Sequence, residues 1–410
     1  MNIYLVIVLT ALIGEFVLRS VARYLNLKTL DGKLPQEFNG FYDEEKYGQS
    51  QKYTKTYTKF AYVSSTFDLV LIVGFILFGG FNLVDQFVRS FNLGPVLSGL
   101  VFFGMLYIAQ DIISTPFSLY TNFIIEERFG FNQMTMKTFV LDKIKTYALV
   151  IILGGVFLGG ILFFFEEAGA YAWMYAWGLV TFFILIAQPL FTTVIAPLFN
   201  KFTPMEDSEL KRAMEAYSEK VKFPIKEICV MDGSKRSAHS NAYFSGFIKK
   251  RIALFDTLVE KHSIEELVAI IAHEVGHYKR KHILKGMVIS IIHTGILFFL
   301  LSLFIDNRGL FDAFRMEEEG TPVYAGFVFF GLLYSPLELA LSVVMNVISR
   351  KHEYEADAFA AETTGSPESL VLALKNLSVA NLGHLTPHPF TVFLNYSHPP
   401  VLQRIAALRE

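Results

Sequence analysis

Residues His273-Glu274-Val275-Gly276-His277 set two imidazoles four positions apart, with a carboxylate beside the first. On a helix, residues four apart share a face, so His273 and His277 can point at one metal ion. Glu274 lies about 100° round the helix from His273. That keeps it off the ligand face and within reach of a metal-bound water. Two imidazoles holding Zn²⁺ and a carboxylate taking a proton from water are the parts of a metal hydrolase. Ser263 is an N-cap candidate, Glu266 stands at the capping-box position, and apolar residues follow, so the motif sits on a helix. The competing reading is an amphipathic helix with two surface histidines, and the apolar residues before and inside the motif weigh against it.

A hydrolase needs a third ligand. The run Ser349-Arg350-Lys351-His352-Glu353-Tyr354-Glu355-Ala356-Asp357 continues helically towards Ala361. Glu353 and Asp357 are four apart and share a face. Glu353 is the candidate third zinc ligand. Asp357, one turn on, can accept the second ring N–H of a zinc histidine, with His273 the first choice. His352 is the rival ligand, but it points off that face. Glu355 and Glu362 read as solvated acidic positions. Three protein ligands leave one position for water, as catalysis needs, whereas a closed structural site would take four.

The elements around these residues are membrane helices. The 410 residues are 53% hydrophobic and 15% aromatic, with 41 phenylalanines and only 18% charged residues. So much apolar surface calls for a bilayer as solvent. The net charge of -2 excludes a globally basic nucleic-acid binder. The single cysteine, Cys229, excludes an intramolecular disulfide and reads as a small buried hydrophobe. Seven apolar stretches are long enough to span: about 3–21, 61–84, 97–117, 147–165, 173–198 (interrupted by Pro189), 283–305 and 324–348. The first lacks a preceding basic residue and a small-residue cleavage site, so it reads as a retained helix rather than a signal peptide.

Loop charges orient these spans. Arg23, Lys28, Lys33, Lys46, Lys52, Lys55 and Lys59 lie between the first two spans. Arg128, Lys137, Lys143 and Lys145 lie between the third and fourth, and the long fifth-to-sixth segment is rich in Lys and Arg. The alternate loops offer only Arg89, then none, then Arg308 and Arg315. The positive-inside rule puts the N-terminus outside, the C-terminus in the cytoplasm and the histidine motif at the cytoplasmic end of span six. Glu15, Asp68, Asp111, His293 and Glu338 fall inside spans and should face protein or water, which together suggests a polar interior.

The soluble remainder falls in two pieces. In 200–282, a helix around 207–221 precedes short apolar runs at 227–231, 241–247 and 250–255, read as a small β-hairpin ahead of the motif helix. A strand edge beside a protease centre can hold an extended peptide. The second piece is 349–410. The expected division is therefore 1–199 for five membrane helices, 200–282 for the hairpin and motif helix, 283–348 for two more membrane helices, and 349–410 for the segment with the third ligand.

Several stretches resemble the integral-membrane, zinc-dependent type I CAAX prenyl proteases. They are Pro116 to Tyr120, Ile125 to Asn132, Pro197 to Phe202, Asp232 to Ser237, His239 to Phe244, the histidine motif, and Ser349 to Asp357. The resemblance covers most of the chain and is far more specific than the zinc motif alone. It implies an all-α membrane protein of seven helices enclosing a water-filled chamber, with a small α+β zinc metalloprotease domain on the cytoplasmic side. It implies one Zn²⁺ on His273, His277 and Glu353, with Glu274 as base. It implies that Asn241 binds substrate backbone and that His398, in Tyr396-Ser397-His398-Pro399-Pro400, steadies the oxyanion. The expected reaction removes three residues from a prenylated C-terminal Cys-a-a-X peptide or protein at the membrane lipid, in the endoplasmic reticulum of a eukaryote or the inner membrane of a bacterium. The short loop between spans six and seven and the brief N-terminal leader resemble compact, bacterial members. A broader quality-control membrane protease has fewer spans. A seven-helix transporter or receptor would want a closed metal site. An intramembrane site-two-type protease would want a metal Asp inside a later span.

Overall fold

A computed structural model describes residues 2–223, 225–245, 251–316 and 320–410. Among the described residues, seven helices are long and apolar enough to cross a membrane: Ile3–Lys28, Glu44–Leu77, Pro95–Glu126, Met136–Glu167, Gly169–Phe199, His282–Phe304 and Val323–Thr364. They are called spans one to seven below. Large apolar side chains stand exposed along them, such as Val70 at 67% and Val156 at 78%. Surface of that kind is stable only against lipid, so the chain is an integral, multi-pass membrane protein.

The helices outrun the stretches that hydropathy marks. Span two starts at Glu44 rather than near residue 61 and stops at Leu77, because Gly79 turns the chain with a φ of 72° before a separate helix, Gly80–Arg89. The lysines at 46, 52, 55 and 59 read as loop by composition, yet they ride on this helix. Tyr53 explains why it persists: its ring meets Phe129 and Phe131, and its hydroxyl donates to Glu126 at 2.7 Å. Span four likewise begins at Met136, capped by Thr135, whose hydroxyl accepts from Thr138 N. Pro189 does not break span five. A wider π-turn, Phe191–Ile195, follows it and absorbs the missing donor.

At one end of the bundle an aromatic core closes the helices, with Phe81, Phe102, Phe311, Phe314 and Phe329 buried together. Asp85 is fully buried there, bonded by Arg89 at 2.7 Å and by Tyr324 at 2.5 Å. At the other end sits a second core. It joins the strands, the motif helix (Ile264–Lys279), the end of span seven and the two helices Pro367–Ala380 and Val401–Arg409. Phe38 and Tyr42, from the link between spans one and two, and Tyr47, in the first turn of span two, are packed into it.

Among the described residues the sheet has four strands, β1 (Phe202–Pro204), β2 (Glu227–Met231), β3 (Ala242–Ser245) and β4 (Arg251–Phe255), in the order β1-β2-β4-β3. The expected hairpin is β3–β4, which pair antiparallel. The turn joining them, 246–250, which hydropathy partly assigns to the strands, lies outside the described residues. The rest of the sheet goes beyond the expectation: β2 lies parallel to β4, and the three-residue β1 closes the other side. Pro204 makes β1 look like loop, but an edge strand tolerates it.

Candidate active site

The motif helix is started by Ser263, whose hydroxyl accepts from Glu266 N at 3.3 Å. The Glu266 carboxylate does not complete a capping box in the contacts it makes. It meets His262 at 2.6 Å and accepts from Asn376 at 3.0 Å. Gly276 sets the approach of this helix to span seven. A Cβ there would lie 3.0 Å from the Ala356 carbonyl oxygen and 3.1 Å from its Cα. That close crossing faces Glu353 and Asp357 towards the histidines.

Three ligand atoms converge. His273 Nε2 and His277 Nε2 are 3.1 Å apart, His277 Nε2 is 3.2 Å from Glu353 Oε1, and His273 Nε2 is 3.4 Å from Glu353 Oε2. Ligands about 2.0–2.2 Å from a tetrahedral zinc stand roughly 3.3–3.5 Å from one another, so the triangle has the size of one face of such a site. Glu353 is buried, and its Oε2 makes no hydrogen bond, with only the longer charge contacts to His273 Nε2 at 3.4 Å and Arg404 Nη1 at 3.5 Å. A buried carboxylate oxygen left so asks for a cation. The residues present therefore fit a metal of the zinc class.

Each histidine is held from behind. His273 Nδ1 lies 2.8 Å from Asp357 Oδ1. Asp357 is gripped in turn by both arms of the Arg404 guanidinium, at 2.8 and 2.6 Å. Burial disfavours a charge on His273, yet the bonds to Asp357 and Glu353 outweigh it and push its pKa up to about 9. Surroundings that favour positive charge this strongly in a buried place suit a metal cation. Burial also works against charge on Arg404, but the Asp357 pair, with Glu353 and Glu274 nearby, more than compensates and raises its pKa.

His277 Nδ1 lies 3.0 Å from Nδ1 of His282, whose Nε2 lies 3.0 Å from Glu355 Oε2. His352 stacks on His282 at 4.0 Å between ring centroids, with an interplanar angle of 10°. The expectation that Glu355 is merely solvated is thus corrected: its carboxylate ends a chain that starts at a metal-site histidine. His352 packs behind His282 rather than taking part in the ligand triangle.

Glu274 is half-buried on the motif helix. His398 Nε2 comes to 3.4 Å from Glu353 Oε1, with its side chain 64% exposed. Its segment is pinned by Arg350, which donates to the Val392 and Tyr396 carbonyls, and by Pro399-Pro400, which lead into the helix bearing Arg404. Asn241 is exposed, immediately before the edge strand β3, and its carbonyl accepts from Phe255 N at 3.2 Å. β3 packs on the motif helix. Sequence reasoning missed His282 and Arg404. His282 had a faint signal, standing one turn beyond the motif at the head of span six. Arg404 had none, because a lone arginine on a short C-terminal helix reads as surface.

Two histidines and a glutamate presented at one end of a seven-helix membrane bundle, with the Glu274 carboxylate next to them in sequence, define a membrane metallopeptidase. Comparison with known proteins narrows this. Residues 23–201 match the family model "CAAX prenyl protease N-terminal, five membrane helices", and residues 204–410 match "Peptidase family M48". CAAX prenyl protease 1 of Saccharomyces cerevisiae is 34% identical, with 97% of this chain and 93% of the relative covered. The Homo sapiens homolog is 32% identical over 92% of this chain and 88% of its own. The crystal structure of S. mikatae Ste24p matches with a TM-score of 0.95 and 33% identity, covering 100% of both chains. The chain belongs to the CAAX prenyl protease group of peptidase family M48, and it is a membrane metalloprotease.

Proposed function

We propose that the protein is a zinc endopeptidase that removes the three terminal residues from prenylated Cys-a-a-X ends. The observation that carries this is the triangle of His273, His277 and Glu353, sized for one metal ion and held by Asp357 and His282. The relatives' names supply the substrate class. Zinc on the three ligands supplies Lewis acidity at the scissile carbonyl. Glu274 takes the proton of the attacking water and hands it to the departing amine. Asp357 fixes the tautomer of His273, and Arg404 fixes Asp357. His398, beside the ligand triangle and mostly exposed, donates to the oxygen that gains charge in the transition state. The Asn241 carboxamide offers both donors and an acceptor, and with the edge of β3 it holds the peptide main chain. A structural-metal reading is disfavoured because only three protein ligands converge among the described residues.

The loop charges support a site on the cytoplasmic side, with the N-terminus on the opposite face. Purified protein should contain about one zinc per chain. On incubation with a farnesylated C-terminal peptide, mass spectrometry should show loss of three residues. A zinc-loaded preparation that leaves the farnesylated peptide intact would overturn the proposal.

A further inference from the structure

Residues of spans one, two and three, with Phe81, line an open cavity of about 550 Å³. Its lining changes character along its length. Arg19, Glu15, Ser65, Asp68 and Gln110 gather at the end nearer the metalloprotease domain, interleaved with Phe16, Leu69, Ala109 and Ile113. Leu12, Ile72, Phe75, Phe81 and Leu106 line the far end. The far end is shut by the aromatic core, where Phe75 and Phe81 meet edge to face at 4.8 Å and Phe81 packs on Phe314 and Phe329. From Ser65 to Phe75 along span two is roughly 15 Å, at the rise of an α-helix. The result is an open, slot-like groove with an aromatic floor and a mouth where polar and apolar side chains alternate.

The mouth adjoins the catalytic segment. Arg19, tethered to Glu15 at 2.8 Å, donates to the Asn395 side chain at 2.9 Å. Asn395 is three residues before His398, and His398 reaches to 3.4 Å from Glu353. Three residues span at most about 10 Å. A molecule with a polar peptide end at the metal triangle and an apolar chain on its first residue would therefore have that chain directed at the slot. Arg23 braces the same mouth, donating to Ser65 at 2.7 Å, and the Tyr62 hydroxyl donates to the Ser20 carbonyl at 2.8 Å. The opening is thus built by cross-links between spans one and two.

We propose that this slot is the receptor for the isoprenoid chain of the substrate, the thioether lying at the Arg19–Asn395 mouth and the chain running towards Phe75 and Phe81. The inference rests on the prenyl-peptide reading above and adds to it where the lipid goes. The slot is long enough for an extended farnesyl group. Its walls are aliphatic and aromatic, so binding is driven by removing the isoprenoid from water. Its closed end sets a limit on chain length. Processing of farnesyl over longer isoprenoids follows from the floor at Phe75 and Phe81.

Two measurements test it on the full-length, metal-loaded protein. A farnesylated peptide carrying a diazirine on its terminal isoprene unit should crosslink to residues in 12–19, 65–75 or 106–113. Crosslinks only to lipid-facing positions, or to none, would overturn the proposal, even if the peptide is cleaved. The second measurement fills the slot. Ile72→Trp should raise KM for the farnesylated peptide, lowering the preference for it over the unmodified peptide by roughly tenfold or more. Val70→Trp, on the same helix but 67% exposed and outside the lining, should leave that preference as it is. An unaltered preference in metal-loaded Ile72→Trp would place the isoprenoid elsewhere. If Ile72→Trp does not fold, the crosslink alone decides. If wild-type protein cleaves no farnesylated peptide, the proposed function fails, whereas the crosslink still reports on the slot.

Discussion

Arg404 is only 12% exposed, with both arms on Asp357 and one nitrogen 3.4 Å from His273 Nδ1. Removing it leaves Asp357 buried without its partner and able to turn away from the histidine. Arg404→Leu should weaken zinc binding by roughly 10–100-fold, as loss of a group supporting a metal histidine usually does, and Arg404→Lys should recover only part because a single ammonium cannot grip both oxygens. His282→Ala should cost a similar 10–100-fold on the His277 side. Zinc competition with a chelator checks both, and an unaltered dissociation constant in each would cut the two residues out of the site. Glu274→Gln differs in kind. It should keep the metal and lose roughly three powers of ten in kcat, because only the proton carrier is gone; turnover of the metal-loaded variant is the measurement. The cluster of His273, His277 and Glu353 was legible because spacing on a helix is encoded locally: four residues make one face, in the motif and again at Glu353 and Asp357. The groups behind the ligands were not. His282 and Arg404 meet their partners through tertiary packing, which leaves no mark on the neighbouring sequence.

Span seven is one helix of 42 residues, carrying the chain from the membrane core to Glu353 and Asp357 without a break. The expected boundary between 348 and 349 therefore cuts through the middle of an element. Hydropathy ends where the side chains become polar, whereas the helix ends at Gly365, which takes a φ of 73°. The same effect hid the first turns of span two. Helix propensity and packing, not apolarity, hold those turns together. Continuity has a mechanical consequence: the proposed third ligand is rigidly joined to a membrane helix, and the two histidines are joined to it through the Gly276 crossing. Gly276→Val should drive Ala356 and Phe359 away from the motif helix, costing about 1–3 kcal/mol as overpacking does. Metal content should fall because the His277–Glu353 edge opens. Gly286, where an added Cβ would meet nothing within 4 Å beyond its own helix backbone, is the matched control, and Gly286→Val should retain zinc. Metal analysis of the two variants decides whether the crossing sets the ligand geometry.

At the scale of the molecule, the helices are longer than the membrane they cross. Span two is roughly 51 Å and span seven roughly 63 Å at 1.5 Å per residue, against about 30 Å of hydrocarbon. The excess projects towards the metalloprotease core, and it carries Lys46, Lys52, Lys55 and Lys59 on span two and Arg350 and Lys351 on span seven. The opposite end, with the helix Gly80–Arg89 and the buried Asp85–Tyr324 bond, carries few basic residues. Projecting helices and charge thus point the same way, so the proposed orientation, with the metalloprotease core in the cytoplasm, rests on both. Cysteine labelling in sealed microsomal vesicles, whose outer surface is the cytoplasmic face, measures it. Cys229 is buried and should be silent towards a membrane-impermeant maleimide. Glu219→Cys, exposed on the helix Glu209–Lys220, should label in intact vesicles. Ser90→Cys, beyond the Gly80–Arg89 helix, should label only after detergent opens them. The reverse pattern would put the metal site in the lumen, away from any Cys-a-a-X end made in the cytoplasm. The proposed substrate would then be lost together with the orientation, since the peptide could not reach Glu274 from the side where it is made.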